Sequence, residues 1–332
     1  MEYANLGTSD LEVPRVIYGA WAIGGWMWGG TDDQKAVEAI NAAIDSGINM
    51  VDTAPAYGFG HSEKVVGQAI RGRRDEVKIA TKCGLVWDRE EGEHFFDSED
   101  NDGNPVSVYR NLKKDSILEE VDRSLERLGV DYIDLYQCHW PDSTTPLEET
   151  MEALNRLYDE GKIKAVGVSN FTPEMIEECR CHGPVHSDQP PYDMLRRDAE
   201  EKLLPHAAEN DLGVIVYSPL HQGLLTGKVT MDREFNEGDQ RRNKPWFQPE
   251  NRRRVLDFLD KVRPIAESHE KTLAQVAINW CLCQEGITSA IVGARRPEQV
   301  RENAGGAGWR LADEEISQIR KWLEGLDEPS GT

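Results

Sequence analysis

Cysteine is scarce, with six residues in a chain of 332. That is too few for the disulfide framework of a small secreted scaffold. Cys179 and Cys181, like Cys281 and Cys283, are separated by one residue rather than the two of common zinc knuckles, so all are expected to be reduced, packed thiols and no metal site is expected. Long apolar runs are missing too. None approaches the ~20 residues that span a bilayer, and the opening Met1-Glu2-Tyr3-Ala4-Asn5 has neither the basic nor the apolar part of a signal peptide, which makes a cytoplasmic location the expectation. Positive charge is in short supply, with 38 basic against 60 acidic residues and a formal net charge of -22. Nucleic acid and anionic membrane surfaces both require clustered Lys and Arg, so neither is an expected partner. The acids are spread along the whole chain, a pattern that suits a halophilic, acidic-proteome setting in which salt screens self-repulsion. Signature loops are absent as well. In Gly58-Phe59-Gly60 the third glycine of a G-x-G-x-x-G is replaced by Glu63, and there is neither a P-loop nor an H-E-x-x-H.

Apolar residues make up 39% of the chain, enough for a full core. Eight short β-rich runs, at 16–18, 49–52, 77–80, 132–136, 164–168, 185–187, 214–217 and 290–292, alternate with segments of helical period. Val37, Ile40 and Ile44 share one helix face, as do Ile117, Val121, Leu125 and Leu128, and Met151, Leu154 and Leu157. Thr31 with Gln34, Thr145 with Glu148, and Thr272 with Gln275 fit capping boxes, and Pro146 suits a first helical position. Eight strand–helix units with apolar strands predict an α/β fold, a parallel (β/α)8 TIM barrel formed as one unit over 1–332; alternation alone leaves an open doubly wound sheet as the alternative. A hairpin over 2–13 is expected to close the far end, and a helix over 313–323 to pack outside. Two connections, 84–112 and 223–251, are long enough to be binding loops at the C-terminal face.

Four polar residues stand at or just past three successive strand ends: Asp52 and Tyr57, then Lys82, then His139. In a barrel they converge. A buried lysine and a buried carboxylate need each other, because neither charge is tolerated alone. A lysine cation beside a phenol is expected to lower the tyrosine pKa from its free value of ~10, making Tyr57 a general acid near neutrality. A neighbouring histidine would orient a carbonyl oxygen. Bulky aromatics among the glycines of 24–30 suit a loop that walls an apolar pocket.

Together with Asp52-Thr53-Ala54, Tyr57-Gly58 and Ala80-Thr81-Lys82, the stretches Asp134-Leu135-Tyr136, His139-Trp140-Pro141, Gly167-Val168-Ser169-Asn170-Phe171, Tyr217-Ser218-Pro219-Leu220 and Gly293-Ala294-Arg295 resemble the motifs of the aldo-keto reductases, in order and over nearly the entire chain. Gly25-Trp26-Met27-Trp28-Gly29-Gly30, Gln189-Pro190-Pro191-Tyr192 and Gly223-Leu224-Leu225-Thr226-Gly227-Lys228 look most like a bacterial subgroup of aldehyde reductases and polyol dehydrogenases.

The resemblance implies NADP(H)-dependent interconversion of a small carbonyl substrate and its alcohol, without a metal, by a monomer or weak homo-oligomer. Tyr57 would be the proton donor, Lys82 would tune it, Asp52 would pair with Lys82, and His139 would orient the carbonyl. For the cofactor it implies Gly19, Ala20 and Trp21 below strand one, Ser169, Asn170 and Gln189 on the carboxamide, and Tyr217 stacked on the ring. Ser218, Pro219, Leu220, Gly223, Leu225 and Lys228 would meet ribose and pyrophosphate. Gly293, Arg295, Gln299 and Asn303 would take the 2′-phosphate and adenine end, with Arg296 an alternative phosphate partner. Trp26, Trp28, Trp87 and Trp140 are the expected substrate-pocket walls. Cys83 and Cys138 adjoin Lys82 and His139, but strand alternation turns them away from the site. Two other activities fit the same residues: a Schiff-base aldolase on Lys82, and a cofactor-sensing subunit of a membrane channel, a role this barrel also serves.

Overall fold

Apolar runs too short for helices form the staves of a closed barrel in a computed structural model that describes residues 1–326 and 328–329. Strands β1 (Tyr3–Asn5) and β2 (Glu12–Pro14) make the N-terminal hairpin. The first staves are β3 (Val16–Gly19), β4 (Met50–Asp52) and β5 (Lys78–Cys83). Next come β6 (Leu85–Val86), β7 (Glu93–Glu99) and β8 (Pro105–Arg110), which lie outside the barrel. The remaining staves are β9 (Leu135–Cys138), β10 (Val166–Ser169), β11 (Ser187–Gln189), β12 (Gly213–Tyr217) and β13 (Ser289–Gly293). All eight staves are parallel, each pairs with the next in the chain, and β13 closes on β3, so the open-sheet alternative is gone.

Helices pack around them: α1 (Asp33–Asp45), α2 (His61–Ala69), α3 (Lys114–Leu128), α4 (Leu147–Asp159), α5 (Pro173–Arg180), α6 (Leu203–Glu209), α7 (Pro249–Ser268), α8 (Leu273–Leu282), α9 (Pro297–Ala304) and α10 (Asp313–Leu323). Alternation divides the core. Outward residues such as Val16, Tyr18 and Val51 pack against the helices, while inward Ile17, Met50, Ala80, Leu135 and Ile215 meet Leu6 and Val13 of the hairpin, which plug the base. Fully burying a side chain of this size is worth about 1.5–3 kcal/mol. Among the described residues, no helix is long and apolar enough to cross a membrane.

Several boundaries differ from expectation. Three staves begin two or three residues later than their apolar runs, at Leu135, Val166 and Ser187, and reach polar residues that looked like loop. Register decides this: Ser169 pairs with Gln189 and Cys83 with Cys138, so ladder bonds carry the strands up to the site. Before β9, Asp134 accepts from the Ile79 amide and from Arg74.

Two expected capping boxes are absent. Asp32, not Thr31, caps α1 by accepting from the Lys35 amide, because a carboxylate one residue later competes better. Thr145 is spent on Asp142, and Pro146 is the residue before α4 rather than its first. Thr272 and Gln275 do form their box. The connection 84–112 is no plain loop but an antiparallel sheet in the order β6-β8-β7. All six cysteines are free, though Cys181 is exposed rather than packed.

Candidate active site

The C-terminal mouth of the barrel opens into a cleft of about 870 Å³, within the range of small-molecule sites. At its floor the four polar residues converge. Lys82 Nζ donates to Asp52 Oδ1 at 2.7 Å, to the Thr53 carbonyl at 2.9 Å and to the Tyr57 hydroxyl at 3.3 Å. The Tyr57 and His139 rings meet edge-to-face, with centroids 5.6 Å apart. Asp52, Tyr57 and His139 line the cleft; Lys82 lies beneath them, sealed from solvent.

Asp52 Oδ2 accepts from Gln189 Nε2 at 2.8 Å and Gln137 Nε2 at 3.3 Å, and Gln189 also donates to Gln137 Oε1. The Gln189 amide nitrogen, expected on a cofactor carboxamide, is therefore engaged in holding Asp52. Gln137 was not foreseen. Its signal was available, since it shares the inward face with Leu135 and His139 in an otherwise apolar strand.

Burial and the Asp52 carboxylate hold the Tyr57 phenol well above its ordinary pKa. This corrects the expected lowering. The Lys82 cation is balanced by Asp52 at 2.7 Å, so burial decides and the phenol keeps its proton. Burial pulls Lys82 down while Asp52 pulls it back up. Burial and then the Lys82 charge push His139 well below its ordinary value, leaving a neutral imidazole.

The polar half of the cleft comes from the later strands. Ser169 Oγ donates to the Gln189 carbonyl, Asn170 Nδ2 to the His139 carbonyl, and the Tyr217 hydroxyl to Asn170 Oδ1. Asn170 and Ser218 both have φ of +62°, a conformation that costs non-glycine residues energy and concentrates at functional sites. Gly19, Trp21, Pro219, Leu220, Gly223, Lys228, Gly293, Arg295, Arg296, Gln299 and Asn303 also face this space. Ala20 and Leu225 do not; each is buried behind it. Gln299 Oε1 accepts from the Arg295 amide at the start of α9, and Asn303 Nδ2 donates to the Gly293 carbonyl. Lys228 is paired with Glu302.

A cofactor-sized polar ligand suits this half on a structural observation. Trp21 Nε1, Trp28 Nε1, Gln222 Oε1 and Gln240 Nε2 all belong to cleft residues and are buried without a hydrogen-bond partner. Buried polar atoms are normally satisfied. Arg295 adds a half-buried guanidinium that donates to the Trp28 carbonyl and has Arg241 and Arg296 as neighbours. Phosphate oxygens suit such a cluster, beside the first turn of α9.

Of the four tryptophans expected to wall a substrate pocket, Trp26 and Trp140 do face the cleft near Tyr57 and His139. Trp28 also faces it, with the Arg241 and Arg295 guanidinia 4.9 and 5.4 Å from its ring. Trp87 is outside it, edge-on to Phe59 and lining a separate recess of about 80 Å³. Its place is taken by Phe95 and Phe96 of β7, which were not foreseen. Among the described residues no cluster suits a metal ion.

A sequence profile of the aldo/keto reductase family matches residues 15–324. The chain is 41% identical over 335 residues to the aldo-keto reductase YhdN of Bacillus subtilis (strain 168), covering 100% of this chain and 96% of that protein. It is 42% identical over 333 residues to the NADH-specific methylglyoxal reductase of Escherichia coli (strain K12), covering 98% and 100%. Among solved structures, the glycerol dehydrogenase of Gluconobacter oxydans superposes with a TM-score of 0.87 at 40% identity, over 99% of this chain and 98% of that one.

Proposed function

This chain belongs to the aldo/keto reductase family, whose members interconvert carbonyl compounds and alcohols, and on that premise we propose an NADP(H)-dependent reductase of aldehydes or ketones in which Tyr57 is the proton donor. The observation that carries the reading is the buried chain from Asp52 through Lys82 to the Tyr57 hydroxyl, with His139 alongside, at the floor of the cleft. When bound, a nicotinamide supplies the hydride for the carbonyl carbon.

The chain's own residues do the rest. Tyr57 holds a proton at neutral pH and gives it to the carbonyl oxygen. Lys82, 3.3 Å away, offsets the negative charge left on the phenol, and Asp52 with its two glutamines keeps that lysine charged and aimed. His139, neutral, positions the carbonyl by hydrogen bonding without competing as an acid. Ser169, Asn170 and Tyr217 would hold the nicotinamide end.

The choice of NADPH rests on Arg295 and Arg296, which face the cleft beside Arg241. The E. coli relative is named for NADH, so this cluster is where cofactor choice turns. Substrates are small carbonyl compounds, the protein acts as a monomer or weak homo-oligomer in the cytoplasm, and its net charge of -22 suits a salty one.

The test is turnover of an aldehyde, ketone and sugar panel with NADPH and with NADH, at low and molar salt. Tyr57→Phe should lower reduction at least ~100-fold, within the range of general acid–base contributions, while NADPH still binds. Near-normal turnover in that variant would overturn the assignment.

A further inference from the structure

Glu63 stands in the sequence where a glycine fingerprint would have its third glycine. In the fold it is a carboxylate with 0% side-chain exposure that the reaction described above does not use. It lies in the first turn of α2, just after the turn that carries Tyr57, and it does not line the cleft.

Both of its oxygens are engaged. Thr81 Oγ1 donates to Oε1 at 2.6 Å, and Arg127 Nε of α3 donates to Oε2 at 2.6 Å. Thr81 precedes Lys82 on β5, and strand alternation turns its side chain to the outer face while Lys82 points into the barrel. Glu63 therefore sits behind the strand that carries the lysine, whereas Asp52 meets the lysine from inside.

The same helix turn ties down the strand ends around it. Ser62 Oγ donates to the Ala20 carbonyl at 2.9 Å and shares a hydrogen bond of 2.8 Å with Thr53 Oγ1, and the Ser62 amide donates to the Tyr57 carbonyl at 3.1 Å. Between Tyr57 and α2, Gly58, Phe59 and Gly60 have φ of +69°, +54° and +92°. Such a run persists only where its surroundings hold it. The Arg127 stem supplies part of that hold, packing so closely that a β-carbon at position 60 would come within 2.8 Å of its Cδ.

Electrostatics points the same way. Burial pulls Lys82 down; Asp52 opposes this most strongly, and Glu63 adds to the opposition from behind. The other titratable groups facing Lys82 are Tyr57, Tyr217 and His139. Those facing Glu63 are Arg127 and Tyr136 of β9. A lysine that must stay cationic while the neighbouring phenol gives up its proton gains from a second negative charge placed outside the cleft, where it does not meet substrate.

We propose that Glu63, clamped by Arg127 and Thr81, is a positioning residue for proton transfer: it helps keep Lys82 charged and fixes the turn from which Tyr57 reaches the carbonyl oxygen. The inference rests on the reductase reading and deepens it.

The test is the pH dependence of kcat and KM for an aldehyde substrate with saturating nicotinamide, in the parent, in Glu63→Gln, and in the double variant Glu63→Gln with Arg127→Met. Glutamine keeps an acceptor for Thr81 and removes the charge. The double variant also removes the guanidinium that the single one leaves without its partner. The alkaline limb reports the coupled Lys82 and Tyr57 groups. Loss of the carboxylate makes both easier to deprotonate, so the limb should move to lower pH by at least ~0.5 unit, against about 1–3 units for an opposite charge in close contact. KM should change little, because Glu63 lies outside the cleft. Arg127 is 17% exposed, so solvent screens its charge on Lys82 more than that of buried Glu63, and the limb should stay displaced in the double variant even as thermal stability recovers. A purely structural role would not do this. A limb unmoved in a folded variant, or restored to the parent's position in the double variant, would overturn the proposal. The double variant keeps the test decisive if Glu63→Gln does not fold. A parent that turns over no carbonyl compound would instead overturn the reductase reading.

Discussion

Lys82 and Asp52 form an ion pair of 2.7 Å in which the side chains are 0% and 3% exposed. A buried pair of this kind contributes little net stability over a well-packed apolar pair, but breaking it leaves an uncompensated charge. Asp52→Asn should therefore cost about 3–5 kcal/mol, seen as a lower urea midpoint at unchanged slope. The double variant with Lys82→Met should regain much of that stability and no activity. Equal loss in both would show that packing, not the orphaned charge, is responsible.

Stability should also respond to pH through Asp188. This residue sits in β11 beside Val168 and Val214, and neither of its carboxylate oxygens has a hydrogen-bond partner. Burial pushes its pKa up to about 8, with the Gln189 and Phe171 amides opposing from outside hydrogen-bond geometry. The unfolded value is ~3.9. Between those values the folded chain holds a proton that the unfolded chain has released, so this group's contribution falls as pH rises, by about 1.4 kcal/mol per unit, and levels off above about 8. Asp188→Asn removes that loss. The melting temperature of the variant relative to the parent should climb from pH 5 to pH 8; parallel curves would refute it.

Cofactor choice should hinge on Arg295. Its guanidinium lies 5.4 Å over Trp28, with Arg241 on the same ring. Charge-assisted hydrogen bonds are worth about 1.5–3 kcal/mol, so Arg295→Ala should weaken NADPH roughly 10- to 100-fold and NADH much less. Titration by tryptophan fluorescence, with Trp21 and Trp28 in the cleft, reads both affinities. Equal losses would remove the 2′-phosphate contact from Arg295.

A net charge of -22 predicts salt dependence. Raising ionic strength from 0.1 to 1 M shortens the Debye length from ~10 to ~3 Å, which relieves self-repulsion while weakening exposed ion pairs that are worth little to begin with. The melting temperature should rise over that range in KCl. A flat or falling curve would mean the acidity is not a salt adaptation.

The alternation of apolar runs with amphipathic segments narrowed the fold to a parallel barrel or an open sheet, and polar residues just past successive strand ends were enough to expect Asp52, Tyr57, Lys82 and His139 to come together. Both signals are local and periodic. The Thr272–Gln275 box was legible for the same reason, whereas Thr31 lost its place to Asp32 because two adjacent residues could both cap. Trp87 was misplaced and Phe95 and Phe96 were missed because the β7–β8 sheet, and the irregularity that turns both rings inward, depend on pairing between segments that carry no alternation signal of their own.

The sequence by itself determined the number of staves and the residue types at their ends, since strand and helix periods are written along the chain, while the closure of β13 on β3 was left to the fold. Only the tertiary structure decided the protonation states and the shape of the cleft. The Tyr57 pKa depends on whether Lys82 is neutralised by Asp52, and Asp52 is 30 positions away in sequence yet 2.7 Å away in space. The placing of Phe95 and Phe96 likewise depends on how one hairpin registers and docks. Electrostatics and packing depend on distance through space, which the order of residues along the chain does not report.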